Sequence, residues 1–530
     1  MDFAACLTAA LRFAEDHRAR HYMDAVNVIP GDTAGLARLP NERWFLEPRG
    51  SKNRCGSSLS VTFAKLSPVP TRSDLLGVVS PSSAAVSGLP PMVAGRLRNT
   101  RRFVTDPITF LSDSMTQHGD IFRFQLVNGN MVGITHPHHI KYILQERMAN
   151  FTRETQMYDI IEPFVGRGLA TIADHNRWRR NRRLVQPAFH HKKINALSEI
   201  MVAEIDSMCD EWAEHARAGR TINVGEQMSH LTLRIVVRAL FGLDPHGPEV
   251  TGFSSATQRV NAELGKFVRM PLIPLKFPTP SHRRFWRAIG EMDAIVYAVI
   301  NKLRDTDSSG LLAMLMAATD ADTNENLTDG ELRDEVVTML FAGHETSSSA
   351  LTSAMLLLQL HPEVRKRLRD DVDTALPAGH ATMTDLPALP YSKQVMEEVL
   401  RLKPPAWMGQ RRANEDDEIG GYHIPAGTPV MFSYYHAHRN PECWDQPDTF
   451  DPDRFTADAV AARDRNVYLP FGAGGHLCIG NAFALMEMQL ALSTIMRRFE
   501  LTIENPDLTP TSALTLNTKF PVIATLTERR

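Results

Sequence analysis

Five cysteines in 530 residues leave little room for disulfide or cluster chemistry. Cys6, Cys55, Cys209, Cys443 and Cys478 follow no regular spacing and include no C-x-x-C pair. A disulfide framework is thereby excluded, and zinc is left without grouped Cys and His ligands. A reducing, cytoplasmic setting is the default for so few thiols. Charge of one sign is missing too. Lys and Arg number 58 against 61 Asp and Glu, a formal net charge of −3. No global field then points to nucleic acid. No apolar run is long enough to cross a membrane. The uncharged run 3–11 is too short, and Asp2 stands where a signal peptide would be basic. Internal repeats are absent. The length still allows a large core and more than one domain.

What is present divides near residue 88. Residues 3–22 are expected to form a short amphipathic helix. A membrane-surface role for it is the alternative, although its polar face lacks a Lys and Arg stripe. From 48 to 91 the chain is rich in Ser, Pro and Gly, as in Ser80-Pro-Ser-Ser, and reads as a poorly ordered linker. Residues 1–88 are thus expected to be an N-terminal extension and 89–530 the folded domain. In the latter, 107–118 and 137–147 suit helices around a hairpin of 120–123 and 131–135, turning at Asn128-Gly-Asn. Residues 194–305 read as several helices, interrupted by prolines at 271, 274, 278 and 280.

The most informative stretch is Phe471-Gly-Ala-Gly-Gly-His-Leu-Cys-Ile-Gly480. Ile479, Phe483, Met486, Leu490 and Thr494 after it recur with helical spacing. Cys478 is therefore expected just before or at a helix N-terminus, where free amides favour a thiolate. Gly474 and Gly480 remove side chains around the sulfur, so a large flat ligand can lie near the backbone. A haem iron held by a thiolate suits such a loop. A lone Cys is more often a buried structural residue, so the surrounding pattern carries the argument. Neither a dinucleotide fingerprint nor a zinc site fits this stretch: the third glycine of the former is missing.

The second stretch is a predicted buried helix over 328–360, opened by a capping box at Thr328 and Glu331. It would be about 50 Å long. Ala342-Gly-His-Glu-Thr-Ser347 interrupts its apolar pattern. Gly343 costs about 1 kcal/mol against Ala, and an unpaired buried Glu345 would cost more. One account is a local kink with Thr346 bonded back to a carbonyl. The other is room beside Ala342 and Gly343 for a diatomic ligand, with Glu345 and Thr346 passing protons. A zinc-protease reading fails, since no second His follows His344 by four.

Three further features are commonplace singly. Trp178 and Arg182 share a helix face and could hold one carboxylate, although a charge run is usually a solvated face. Glu398 and Arg401 are an i, i+3 pair. Phe450-Asp-Pro-Asp-Arg454-Phe follows them.

Together these patterns resemble the cytochrome P-450 superfamily of haem-thiolate monooxygenases, over roughly residues 89–530. The loop matches F-x-x-G-x-H-x-C-x-G at Phe471, Gly474, Cys478 and Gly480, with His476 where many members have Arg. The helix matches [AG]-G-x-[DE]-T-[TS] at Ala342 to Ser347, and W-x-x-x-R matches at Trp178 and Arg182. The resemblance implies a mainly α fold with small β-sheets and haem b between the long central helix and the Cys loop. It implies Cys478 as axial iron ligand, and His476, Trp178, Arg182 and Arg411 as partners of the haem propionates. Thr346 and Glu345 would deliver protons for O–O cleavage. Glu398, Arg401 and Arg454 would form a structural network. The implied reaction inserts one oxygen atom from O2 into a small apolar substrate of fatty acid, terpenoid or polyketide type. Electrons would come from a separate ferredoxin or flavodoxin, since no residues remain for a fused reductase. Arg177, Arg179, Arg180, Arg183, Lys192 and Lys193 are the expected docking patch. Ala406, Trp407 and Met408 are candidates for lining the pocket, Trp407 being equally suited to ordinary core. The rivals are a peroxide-driven hydroxylase, disfavoured by the intact Glu345–Thr346 pair, and a haem carrier or sensor without turnover.

Overall fold

A computed structural model describes residues 88–529 except 270–276, 305–309, 321–323, 378 and 513, and, ahead of residue 88, four strands. The chain divides into a unit of Met1–Ala85 and a unit of Val86–Arg530.

In the first unit β1 (Asp2–Cys6), β2 (Ala25–Pro30), β3 (Ala37–Arg38) and β4 (Ser58–Ala64) form one sheet in the order β2-β4-β1-β3. The helix expected over 3–22 is thus a strand through Cys6, and 7–22 lie outside the described residues. The expected linker likewise contains β4. Leu59, Val61 and Phe63 alternate there with Ser and Thr, the period of a strand, which the composition had hidden. The rest of 48–87 lies outside the described residues.

The second unit is built mostly of helices: α1 (Arg96–Thr105), α2 (Pro107–His118), α3 (Pro137–Lys141), α4 (Gln156–Val165), α5 (His175–Val185), α6 (His191–Arg217), α7 (Val224–Phe241), α8 (Pro248–Arg269) and α9 (Pro280–Arg304). Then come α10 (Leu311–Ala317), α11 (Asp329–Leu360), α12 (Pro362–Ala375), α13 (Pro390–Leu402), α14 (Tyr434–Ala437), α15 (Ala457–Ala462) and α16 (Asn481–Arg498). The expected helix 137–147 is α only to Lys141 and continues as a π turn through Glu146. The central helix α11 runs 32 residues from the predicted capping box, in which Thr328 and Glu331 exchange both bonds. It packs along α7 and between α9, α13 and α16, with Val336, Val337, Leu351 and Leu358 in the main core.

The expected hairpin is β6 (Ile121–Leu126) and β7 (Gly129–Ile134). With β5 (Met92–Val93), β8 (Phe151–Thr152), β10 (Met408–Ala413) and β13 (Pro429–Ser433) it makes a six-stranded sheet, ordered β5-β6-β7-β13-β10-β8. Arg411 pairs with Val430 across β10 and β13. Strands β11 (Asp417–Ile419) and β12 (Tyr422–Ile424) form a separate hairpin. The C-terminal strands have different partners. β15 (Pro510–Ser512) pairs with β16 (Leu516–Thr518), while β17 (Ile523–Glu528) joins β14 (Phe499–Ile503) and β9 (Ile222–Asn223). No helix among the described residues is long and apolar enough to cross a membrane.

Candidate functional site

Cys478 lies between the turn Gly474–His476 and α16. Its N–H donates to Phe471 O at 3.0 Å, which folds the loop back on itself. Gly474 is required twice. Its φ is +67°, and a Cβ there would collide with the Leu144 carbonyl. The helix begins three residues after the cysteine, so Cys478 is outside the first turn. Burial pushes its thiol up, while the Gly480 N–H and Arg182 pull it down less strongly. The expected low-pKa thiolate is therefore not produced by the helix end alone. A bound metal ion would complete the deprotonation.

Cys478 carries accessible surface although protein surrounds the loop, because that surface is the wall of a cavity of about 370 Å³. Phe471, Gly472 and Gly480 line it on the loop side, whereas Gly474 does not. Opposite are Met339, Ala342, Gly343 and Thr346 of α11, and Val236 and Leu240 of α7. Ala406 and Met408 line it as expected, whereas Trp407 is buried in the core around Phe110 and Phe122.

Within α11, Thr346 Oγ1 donates back to Ala342 O at 2.7 Å. A Cβ on Gly343 would stand 3.0 Å from Val236, so this glycine also lets α7 approach. His344 bonds Ser229 at 2.8 Å and has a structural partner rather than a ligand's role. Glu345 does not line the cavity. Its Oε1 accepts from Thr515 Oγ1 at 3.1 Å and from Asn517 Nδ2 at 2.9 Å, at the β15–β16 hairpin. The two halves of the expected proton relay are adjacent in sequence but face different neighbours.

Cations gather around His476. Trp178 packs on its ring at 4.2 Å between centroids. Arg182 Nη1 donates to Leu477 O at 3.1 Å and Arg411 Nη1 to Tyr158 OH at 3.1 Å. Arg153 Nη1 donates to Leu169 O at 3.0 Å. No carboxylate pairs with Arg153, Arg182 or Arg411 among the described residues. Arg153 Nε and His476 Nδ1 are buried without a hydrogen-bond partner among the described residues. Burial, helped by Arg153 and Arg411, lowers the His476 pKa to about 2. Burial also lowers Arg153 to about 10. Unbalanced positive charge of this kind suits a ligand bearing carboxylates. The residues present therefore fit a haem, whose two propionates would meet them. Arg153 and Tyr158 escaped the sequence reading because no motif contains them; only the fold brings them to Arg411.

The structural network is assembled. Arg401 donates to both Glu398 oxygens at 2.6 and 2.7 Å, and Arg454 lies 3.6 Å from one of them. The proposed docking patch is altered. Arg177 and Arg180 pair with Glu331, and Arg183 with Asp320, which leaves Arg179, Lys192 and Lys193 as its exposed cations without ion pairs among the described residues.

Comparison with known proteins agrees with this geometry. The family model described as Cytochrome P450 matches residues 91–522. The chain is 33% identical over 424 residues to a cyclooctat-9-en-7-ol 5-monooxygenase of Streptomyces melanosporofaciens, covering 79% of this chain and 91% of that one. It is 30% identical to a pentalenene oxygenase of Streptomyces avermitilis, covering 81% and 95%. The solved haem domain of cytochrome P450DA superposes with a TM-score of 0.75 at 26% identity, covering 84% of this chain and 99% of that one. With the cysteine loop, the cavity and the unpaired cations in place, the chain belongs to the cytochrome P450 family: a haem monooxygenase of apolar substrates, with haem b as its cofactor.

Proposed function

We propose that this enzyme oxidises a terpenoid hydrocarbon in the cytoplasm, with electrons from a separate ferredoxin or flavodoxin. The observation that carries the reading is the cavity over Cys478, walled by Val236, Leu240, Met339 and Met408, with its cations gathered around His476. Such a wall offers an apolar substrate shape and burial but few hydrogen bonds. The substrates in the names of the two Streptomyces relatives support a terpenoid over a fatty acid or polyketide.

When bound, the haem supplies the iron at which O2 is activated. Cys478 Sγ would ligate that iron. Trp178, Arg182, His476, Arg411 and, newly, Arg153 and Tyr158 would hold the propionates. Phe471, Gly474 and Gly480 keep the loop close and flat, while Ala342 and Gly343 keep the opposite wall low. Thr346 lines the cavity, and its hydroxyl, which otherwise donates to Ala342 O, would hold a proton there. For Glu345 to supply it, the carboxyl must exchange Thr515 and Asn517 for Thr346 or water. Substituting Thr346→Ala should leave reduction intact but release more peroxide per product; unchanged coupling would remove Thr346 from the relay. Lys192→Glu with Lys193→Glu should slow reduction by an acidic donor in a salt-dependent way, and an unchanged rate would move the donor elsewhere.

The reading is tested by reducing the purified protein under carbon monoxide and recording the Soret band. A strongly red-shifted band supports Cys478 as thiolate ligand. A band like that of a histidine-ligated haem rejects it. Terpenes and fatty acids are then titrated by their spin-state shift. A response to fatty acids alone would overturn the terpenoid assignment. Electron-dependent oxidation would exclude a mere carrier or sensor.

A further inference from the structure

One wall of the cavity is Leu169 and Ala170, on the irregular segment that follows α4. An irregular segment inside a protein must still satisfy its backbone groups. Here a single stretch of α11 does so. Arg333 Nη2 donates to Phe164 O at 3.0 Å, and Thr338 Oγ1 to Val165 O at 3.3 Å. Asp334 Oδ2 accepts from Arg167 N–H at 2.8 Å, and Glu335 Oε2 from Leu169 N–H at 3.1 Å. Gly166 and Gly168 permit the approach: a Cβ on the first would collide with Asp334, and on the second with Thr338. Arg333 is itself tied to Asp293 of α9 at 2.6 Å.

Glu335 differs from the other three. Its second oxygen leaves the segment and accepts from Asn181 Nδ2 at 3.1 Å. Asn181 lies on α5 between Trp178 and Arg182. Glu335 is fully buried, lines the cavity, and has no Lys or Arg ion pair among the described residues.

We infer that Glu335 is a positioning residue, whose single carboxyl fixes both the 166–170 wall of the substrate space and the helix that presents Trp178 and Arg182. The wall arm stands on geometry alone, while the cofactor arm rests on the haem reading given above. Both partners of Glu335 are donors. A carboxylate accepts from both at full strength, and a proton on either oxygen makes that oxygen the weaker acceptor for its N–H. Burial raises this carboxyl, the Leu169 N–H and Asn181 pull it down, and Asp334 on the same helix and Arg177 of α5 act more weakly in opposite directions, for a balance at about 7. The clasp is thus fastened at pH 8 and loosened at pH 6.

The test uses the full-length haem protein and Glu335→Gln, read by haem transfer to apomyoglobin and by amide exchange of 166–170 at pH 6 and pH 8. The wild type should lose haem several-fold faster at pH 6 than at pH 8. The variant should be fast and flat, with raised exchange at both pH values. Wild-type haem loss and exchange in the variant would overturn the inference. Asn181→Leu provides a milder second cut: faster haem loss with unchanged exchange at 166–170 is expected, and the reverse pattern overturns the two-armed role. If the wild type binds no haem, the haem reading fails by itself. Exchange in the apoprotein then decides the wall arm, supported by a raised rate in Glu335→Gln and rejected by an equal one.

Discussion

Glu398 and Glu487 are both fully buried carboxyls on core helices, and their surroundings are opposite. Glu398, on α13, receives two bonds from Arg401 and one from the Asp451 N–H at 2.9 Å, with Arg454 nearby. Arg401 spends its other donors on the carbonyls of His438, Pro447 and Thr449. Burial pushes the Glu398 carboxyl up and Arg401 pulls it back, and the bidentate geometry is that of a carboxylate. Glu487, on α16, has no geometric hydrogen-bond partner for either oxygen among the described residues, and Ser347 of α11 is near enough only to pull its carboxyl down a little. Burial raises it to about 8, which favours the protonated form near neutral pH. An acid in the interior is tied down by a cation and backbone donors in one place, and neutralised by its own proton in the other.

The largest effect is expected from Arg401→Ala. It leaves the buried Glu398 with only the Asp451 N–H and the more distant Arg454, which costs about 3–5 kcal/mol. Denaturant unfolding and the yield of folded protein measure it. A loss under about 1 kcal/mol would mean that the network is weaker than its geometry.

Next is Glu487→Gln, read against pH. The folded pKa lies above the ordinary value of 4.5, so the folded chain binds the proton more tightly than the unfolded one. Its contribution to stability is complete below about 4.5 and is lost as pH rises towards about 8. At about 1.4 kcal/mol per pKa unit, the loss is on the order of a few kcal/mol. The variant should lack this slope and be the more stable protein at pH 8.5. Parallel curves would show that Glu487 has a partner after all.

Arg454→Ala should cost about 1 kcal/mol, because Arg454 stands 3.6 Å from a carboxylate that Arg401 already satisfies. The smallest change is expected for Lys366→Ala. Its i, i+4 pair with Asp370 is mostly exposed at both ends and should contribute about 0.3–0.5 kcal/mol. If the exposed pair mattered as much as Arg454, burial would not be the variable that separates these sites.

The legible residues were those with fixed spacing along one element. The Cys478 loop, the α11 capping box, and the Glu398–Arg401 pair each lie within a few residues of sequence, where local geometry dictates who meets whom. Arg153, Tyr158, Asn181 and Glu335 were illegible because their meaning depends on partners far along the chain: Glu335 is 166 residues from Leu169. Glu345 shows the same limit from the other side. Its neighbour Thr346 suggested a joint relay, but Thr515 and Asn517, 170 and 172 residues away, claim its carboxyl. Ser58–Ala64 alternates like a strand inside a stretch whose Ser, Pro and Gly content reads as linker, and Asp2–Cys6 is a strand where an amphipathic helix is expected, too short to show a period of its own.

By itself the sequence determined which chemistry the chain can carry. A single cysteine in a glycine-framed loop, a glycine and an acid–alcohol pair within a long apolar helix, and an arginine-paired glutamate are local statements, enforced by sterics and helix periodicity. Only the tertiary structure decided the charge balance of the site. Which cations lack carboxylates, which buried acids hold protons, and which wall is fastened to α11 are set by low-dielectric contacts between distant segments, because burial and partner geometry, not residue type, fix the cost of a charge.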